Sequence, residues 1–377
     1  MKEERTRNWR LSLLIAVPGL VALAVTPSGA QTSRARQTSS PPVAPQQGRA
    51  HHSAVVAWGH QLVILGGDNG VTGESLSITQ PSIAIADPLS QDMVPAGLLL
   101  TGRSYHHSLE INNGTILVMG GVDADFEPLA STEFIDSDMS VISGPALGVP
   151  RTVFASLVLP GGGVTVLGGH TEAGRRPTAS VELLRDGERA WSDGGRLLHR
   201  RAGHTATLLD DGRVLIVGGY DGRWPVAEAE LWDPDSGVSL AVGRMAVPRF
   251  NHRAVRLGDG SVAVFGGATE VDAFSEIEIW SAAIRGFQSA GQLIHPRVGH
   301  TATGLPDGRV LIVGGTLEPR PAELWTPSTR TSSAVADLVV GRSWHTASPV
   351  GEDVWIVGGI ESGEYPFVPL VVQVPSP

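Results

Sequence analysis

Two columns of residues recur along this 377-residue chain with side chains suited to chemistry. Arginines stand at Arg49, Arg103, Arg151, Arg201, Arg249, Arg297 and Arg342. Three residues after each comes a histidine, at His52, His106, His204, His252, His300 and His345, with Phe154 in the remaining place. A guanidinium grips carboxylates and phosphates through paired hydrogen bonds. An imidazole can ligate a metal or carry a proton near neutral pH. Histidines that occur once per repeat are spread apart in space, however. They do not converge on one ion at the ~2.0–2.1 Å a metal requires. Buried, hydrogen-bonded rings are therefore expected, and Phe154 agrees, since an apolar ring serves in one repeat. The arginines are expected to pair with carboxylates or backbone carbonyls, joining repeat to repeat, with some left free to hold an anionic partner. Arg151 is the leading candidate for that second role. Its own repeat breaks the histidine pattern, and His170, Arg175 and Arg176 add positive charge nearby.

A second candidate is Tyr220-Asp221-Gly222-Arg223-Trp224, which sets two aromatic rings beside a charge pair. Such a segment suits stacking on a sugar or anchoring a protein; its alternative is a loop that only packs on its neighbour. Asp123, Asp125 and Glu127 could offer oxygen ligands to Ca²⁺, against the plainer reading of a solvated acidic loop. No acid–base pair stands out. No catalytic residue, metal ligand or cofactor is assigned.

The elements that must position these residues follow from a repeat. Gly-Gly pairs close seven apolar runs, at Gly66-Gly67, Gly120-Gly121, Gly168-Gly169, Gly218-Gly219, Gly266-Gly267, Gly314-Gly315 and Gly358-Gly359. The runs, such as VLIV and VAVF, have the length and β-branched content of buried strands. The column arginine precedes the first glycine by 17 residues in six repeats and by 16 in the last. Between histidine and glycines lie hairpin signals: Asn113-Gly114, Asp211-Gly212, Asp259-Gly260 and Asp307-Gly308. A third strand follows, as in Glu230-Leu231-Trp232, Glu278-Ile279-Trp280 and Glu323-Leu324-Trp325, and then a weaker fourth. Trp232, Trp280 and Trp325 are read as core. Four strands per repeat, seven times, predict an all-β chain: a seven-bladed β-propeller of four-stranded blades. Only one strand is visible after Gly359, near 370–374, so residues before Arg49 are expected to supply the missing outer strand of the last blade. The loops after the glycines vary most and carry much of the acid. They should share one face with the arginines.

The repeat resembles the kelch family. The match rests on R-x-x-H-[ST]-A, on the D-G-R-V-L-I-V-G-G hairpin of residues 211–219 and 307–315, and on the E-L-W third strand. It spans roughly residues 49–374. The resemblance implies the propeller and leaves the activity open, because one fold hosts many functions. Relatives include protein-binding propellers, secreted copper oxidases related to galactose oxidase, and a periplasmic sialic acid epimerase. The oxidases need a Tyr–Cys cofactor, whereas this chain has no cysteine and only Tyr105, Tyr220 and Tyr365. Sialidase boxes of the form S-x-D-x-G-x-T-W are absent.

Composition sets the surroundings. A net charge of −10 argues against nucleic acid as partner. Residues 1–30 read as a signal peptide: a basic start, an apolar run from Leu11 to Val25, and Ser28-Gly29-Ala30 for cleavage. An uncleaved anchor is the alternative. No later segment could span a membrane. Residues 31–48 read as a flexible leader and 49–377 as the propeller. The expectation is a secreted or periplasmic (cell-envelope) bacterial protein, monomeric, acting as a binding scaffold for a protein or glycan at the loop face. The alternative is a sugar- or sialic-acid-modifying, epimerase-like enzyme.

Overall fold

The computed structural model of the chain describes residues 48–59, 61–70, 79–86, 92–112, 114–172, 176–316, 318–366 and 369–373. The first blade is β1 (Ser53–Ala57), β2 (Gln61–Leu65), β3 (Ser82–Ala86) and β4 (Met93–Leu98), antiparallel and in sequence order. Five more four-stranded sheets of the same design follow, and then a three-stranded one. The chain is a seven-bladed β-propeller. The segment expected to complete the last blade lies in residues 1–47, outside the described residues.

The first strand of every blade is innermost. Ser53–Ala57, His107–Glu110, Ala155–Val158, Thr205–Leu208, Arg253–Arg256, Thr301–Gly304 and Thr346–Val350 touch their neighbours in turn, and the last touches the first, so they enclose a central channel. The apolar runs before the glycines form second strands buried along their whole length, such as Val214–Val217 and Val310–Val313. A blade buried on both faces needs apolar side chains on both, which explains runs where alternation would otherwise be expected.

The core lies between blades. One cluster joins Leu215, Val217 and Leu231 of blade four to Val262, Val264 and Trp280 of blade five. The third-strand tryptophans seal these seams. Trp232, Trp280 and Trp325 are fully buried, and each indole Nε1 donates to a carbonyl in the outer strand of the preceding blade: Gly194, Val242 and Ala290, at 2.9, 2.9 and 3.2 Å.

The diglycines hold the closest approach. Gly218 and Gly219 have φ of +63° and +97°. A Cβ on Gly218 would sit 2.5 Å from the Arg249 carbonyl and 2.6 Å from the His252 ring, both of blade five. Glycine is therefore required twice over, by left-handed backbone and by lack of room. The same contact closes the ring: Gly359 N–H donates to the Arg49 carbonyl at 2.8 Å, carrying blade seven onto blade one.

Candidate functional site

The 17-residue spacing between arginine and glycine is a hydrogen bond. The guanidinium of Arg201 donates to Gly218 O at 2.7 Å, and Arg49, Arg103, Arg151, Arg249 and Arg297 make the same bond to their own first glycines. In blades two to six the guanidinium also meets a buried glutamate of the third strand: Glu133, Glu182, Glu230, Glu278 and Glu323. In these five blades the carboxylates come from the strand and not from the acidic loops; in blade seven Arg342 meets Glu361, just past the glycines, at 3.2 Å. Each strand glutamate turns its remaining capacity to the crossover from the preceding blade. Glu133 accepts from Leu100 and Thr101 N–H at 2.7 and 3.1 Å, and Glu278 from Ala246 and Val247 N–H at 2.7 and 3.2 Å. The E-L-W motif carried this signal, since its glutamate keeps a fixed register to the arginine. In blade one Ala84 takes the place of the glutamate, and burial pulls Arg49 down to about 10.

The histidine column forms a relay across the seams. His106 Nε2 meets Ser53 Oγ at 2.7 Å, His252 meets Thr205 at 2.9 Å, His345 meets Thr301 at 3.0 Å and His52 meets Thr346 at 2.9 Å. Each partner is the hydroxyl one residue past the preceding blade's histidine, which is the [ST] of the repeat motif. The relay fails where that residue is not Ser or Thr. His204 faces Ala155 and His300 faces Arg253, and among the described residues neither ring nitrogen of either histidine has a partner. Burial holds the column histidines well below the ordinary imidazole range, to about 3 at His252 and His345. They are neutral at neutral pH.

Symmetry breaks one residue before this column. His51, Tyr105, Val153, Gly203, Asn251, Gly299 and Trp344 are equivalent, and all have left-handed backbone, with φ between +51° and +70°. Non-glycine residues rarely adopt it, and a β-branched one such as Val153 is strained there. They are joined by backbone hydrogen bonds from blade to blade, as in Tyr105 N–H to His51 O at 2.9 Å and Asn251 N–H to Gly203 O at 2.8 Å. Six of the seven, all but Gly299, line a cavity of about 360 Å³ at the channel mouth. Its wall is aromatic over blades seven, one and two. The His51 and Tyr105 rings stack at 4.0 Å, and Trp344 lies 5.7 Å from His51. A Cβ on Gly299 would fall 2.9 Å from the Trp344 indole, so that glycine gives the ring its bed.

Two charged features flank the mouth. His51 Nδ1 meets Asp68 Oδ2 at 2.8 Å, both buried, while its Nε2 has no partner among the described residues and is covered from solvent. Burial, then the Asp68 charge, pushes the Tyr105 phenol well above its ordinary range and Tyr365 up to about 12. Across the ring, Arg253 of blade five lines the cavity. Its only hydrogen bond to the described residues is a long one, 3.4 Å to His252 O.

The residues singled out by sequence occupy the same face, further out. Arg151 is fully buried, with bonds to Gly168 O at 2.8 Å, Ser180 O and Oγ at 3.3 and 3.1 Å, and Glu182. That is the structural role weighed for the column, and it leaves no donor turned to a ligand. His170 is buried and bridged to Thr152, and burial takes it down to about 4. Arg176 is exposed, 3.9 Å from Glu172; Arg175 lies outside the described residues. In the next loop, Asp221 Oδ1 accepts from Arg223 and Trp224 N–H, both at 2.7 Å. The Arg223 guanidinium sits 5.7 Å over the Trp224 ring, which is 63% exposed, while Tyr220 packs edge-on to Phe250 at 5.8 Å. The fold brings the two loops together, with Gly222 against Pro177. Asp123 Oδ1 accepts from its own loop, from Asp125 and Glu127 N–H.

No family model matches the chain, and no curated protein matches it. Among solved structures it is similar to a fungal alcohol oxidase of the AA5 family, solved in complex with copper. The TM-score is 0.67 at 17% identity, over 84% of this chain and 71% of that one. The likeness is one of fold. That protein's copper does not fit here. The chain has no cysteine, among the described residues no three His, Asp or Glu side chains converge as ligands, and the charge lining the mouth is the cation of Arg253. The mouth residues themselves escaped the sequence reading. A signal was present, since the position before the histidine column differs between every pair of neighbouring repeats whose flanks agree.

Proposed function

We propose that the chain is an exported binding scaffold whose loop face takes a glycan, with the channel mouth as the ligand seat. One observation carries this reading. Seven equivalent positions around the mouth share left-handed backbone, strained at the non-glycine residues, yet no two neighbouring blades carry the same residue there, while the frame beneath them repeats. Strain kept at a ring of variable residues suits a surface selected for what it touches. The aromatic arc of His51, Tyr105 and Trp344 offers flat apolar faces to a sugar ring, and Asn251 offers amide hydrogen bonds. A cavity of about 360 Å³ falls at the low end for small-ligand sites. The bundle of Trp224, Arg223 and Tyr220 extends the same face outward and could anchor a longer glycan or a protein.

The test is a glycan panel titrated against the mature protein and against Trp344→Ala. Binding by the parent, weakened about tenfold or more in the variant at unchanged melting temperature, is expected from the loss of one stacking face. Equal binding by both would move the seat away from the mouth. An enzymatic reading, epimerase-like on a sugar, draws on the His51–Asp68 pair, in which a carboxylate orients an imidazole as in a general base. The covered Nε2 would have to be uncovered by substrate. Turnover of a bound sugar, abolished in His51→Ala, would favour it.

A further inference from the structure

We propose that the ligand carries a single oxyanion and that Arg253 is its receptor, reached through the channel mouth. This deepens the reading above and rests on the mouth being the ligand seat.

The argument begins with what Arg253 displaces. At the residue after the histidine column the other blades have Ser53, His107, Ala155, Thr205, Thr301 and Thr346. Four of these are hydroxyls, and each is hydrogen-bonded to the next blade's histidine. Blade five alone puts a charge there. The replacement removes a structural hydrogen bond and leaves fully buried His300 with neither ring nitrogen partnered. A repeat that breaks its own rule at a stability cost is a mark of a functional site.

The column arginines are placed differently: Arg342 meets Glu361, and Arg49, which like Arg253 has no ion pair with a described residue, donates to the Gly66 and Ser82 carbonyls at 3.0 and 3.1 Å. Arg103, Arg151, Arg201, Arg249 and Arg297 are each matched by a buried glutamate. Arg253 makes no ion pair with any described residue, and it lines the cavity. The cavity it lines is shared with His107 of blade two and His345 of blade seven, so it lies toward the channel axis and not in a seam. Those histidines are held neutral by burial and cannot share the anion. Asp68, across the ring, is already joined to His51. A ligand would therefore be oriented, its oxyanion on Arg253 and its flat ring on Trp344 and Tyr105. A guanidinium binds carboxylate or phosphate through parallel N–H donors, so the shared chemistry is one oxyanion on a ring of sugar size.

Thermal melting and calorimetry of the mature protein, with glucuronate, glucose 6-phosphate and glucose as probes, test this. At constant ionic strength at least one anionic probe should raise the melting temperature and bind about tenfold or more above glucose, as charge-assisted bonds warrant. Arg253→Gln should erase that preference and leave glucose binding unchanged, and Arg253→Lys should keep part of it. The ligand-free Arg253→Gln protein should melt at the same temperature or higher, because an unmatched cation has gone. A purely structural arginine would give the opposite. Which anion wins separates a carboxylate from a phosphate ligand. If anionic and neutral probes bind alike and Arg253→Gln changes neither, the oxyanion proposal falls while the mouth stands. If no probe binds, or if Trp344→Ala leaves every affinity intact, the seat falls and the proposal with it.

Discussion

Six arginines reach, 17 residues on, the carbonyl of the glycine that ends their blade's second strand. Two residues past these six arginines and past Arg342 no two neighbouring blades agree: His51, Tyr105, Val153, Gly203, Asn251, Gly299, Trp344. Frame and mouth lie within one turn of chain. They obey different constraints because of what each side chain faces. The arginine faces only protein, and its donors must be met by protein or left at full desolvation cost. The non-glycine mouth residues share their backbone geometry but line the channel mouth, where the repeating frame does not fix their type.

Acid should break the frame with the largest effect. Burial holds His107 and His170 at about 4 and His252 and His345 at about 3. In the unfolded chain these groups take up protons near pH 6.5. Below that pH the unfolded state binds more protons than the folded one, so stability is full above it and falls as pH drops toward the folded values. Each such histidine removes about 1.4 kcal/mol per pH unit within the window. The melting temperature should decline steeply between pH 6.5 and 4, and equally so in Trp344→Ala. A profile flat from pH 7 to 4 would mean that the column histidines are not held neutral.

Next in size is a break in one blade. Glu230 is fully buried against Arg201 and accepts from Leu198 N–H at 2.6 Å. Glu230→Ala strands a buried guanidinium and an unpaired crossover amide, and should cost about 3–5 kcal/mol in a denaturant titration. The value of the pair relative to an apolar seam is a separate matter and is smaller. Ligand affinity should not change. A loss under ~1 kcal/mol would show that water or a shifted side chain reaches Arg201, and the frame would be looser than its hydrogen bonds indicate.

The sequence makes the frame legible because the frame is periodic. Gly218, Arg201, His204 and Trp232 recur at fixed offsets, and periodicity needs only comparison within one chain. Even the pairing of Arg201 with Glu230 could have been read from the E-L-W register. The mouth is hard to read for the complementary reason: its positions are marked by variation, and variation also marks solvent-exposed loops. Tyr220 and Trp224 drew attention by composition, whereas Arg253 was one basic residue among many until the strand order set it on the channel. Its clue was an exception at the [ST] of R-x-x-H-[ST]-A, visible only once that hydroxyl is known to bond the next histidine.

The smallest effect carries the most pointed sign. Val153 is half-buried, with φ of +52°. A β-branched residue there is strained by roughly 1–2 kcal/mol. Glycine removes the strain and adds backbone entropy to the unfolded chain, an opposing loss of ~0.5–1 kcal/mol. Val153→Gly should therefore leave stability equal or raise it by up to ~1 kcal/mol, although Val→Gly in a strand is ordinarily destabilising. If Val153 belongs to the mouth alone, the more stable variant should also bind glycan less tightly, since it gives up one wall of the cavity. A loss of stability beyond ~1 kcal/mol would assign Val153 to the frame, and the boundary between the two regions would then run inside the ring of left-handed residues and not between that ring and the histidine column.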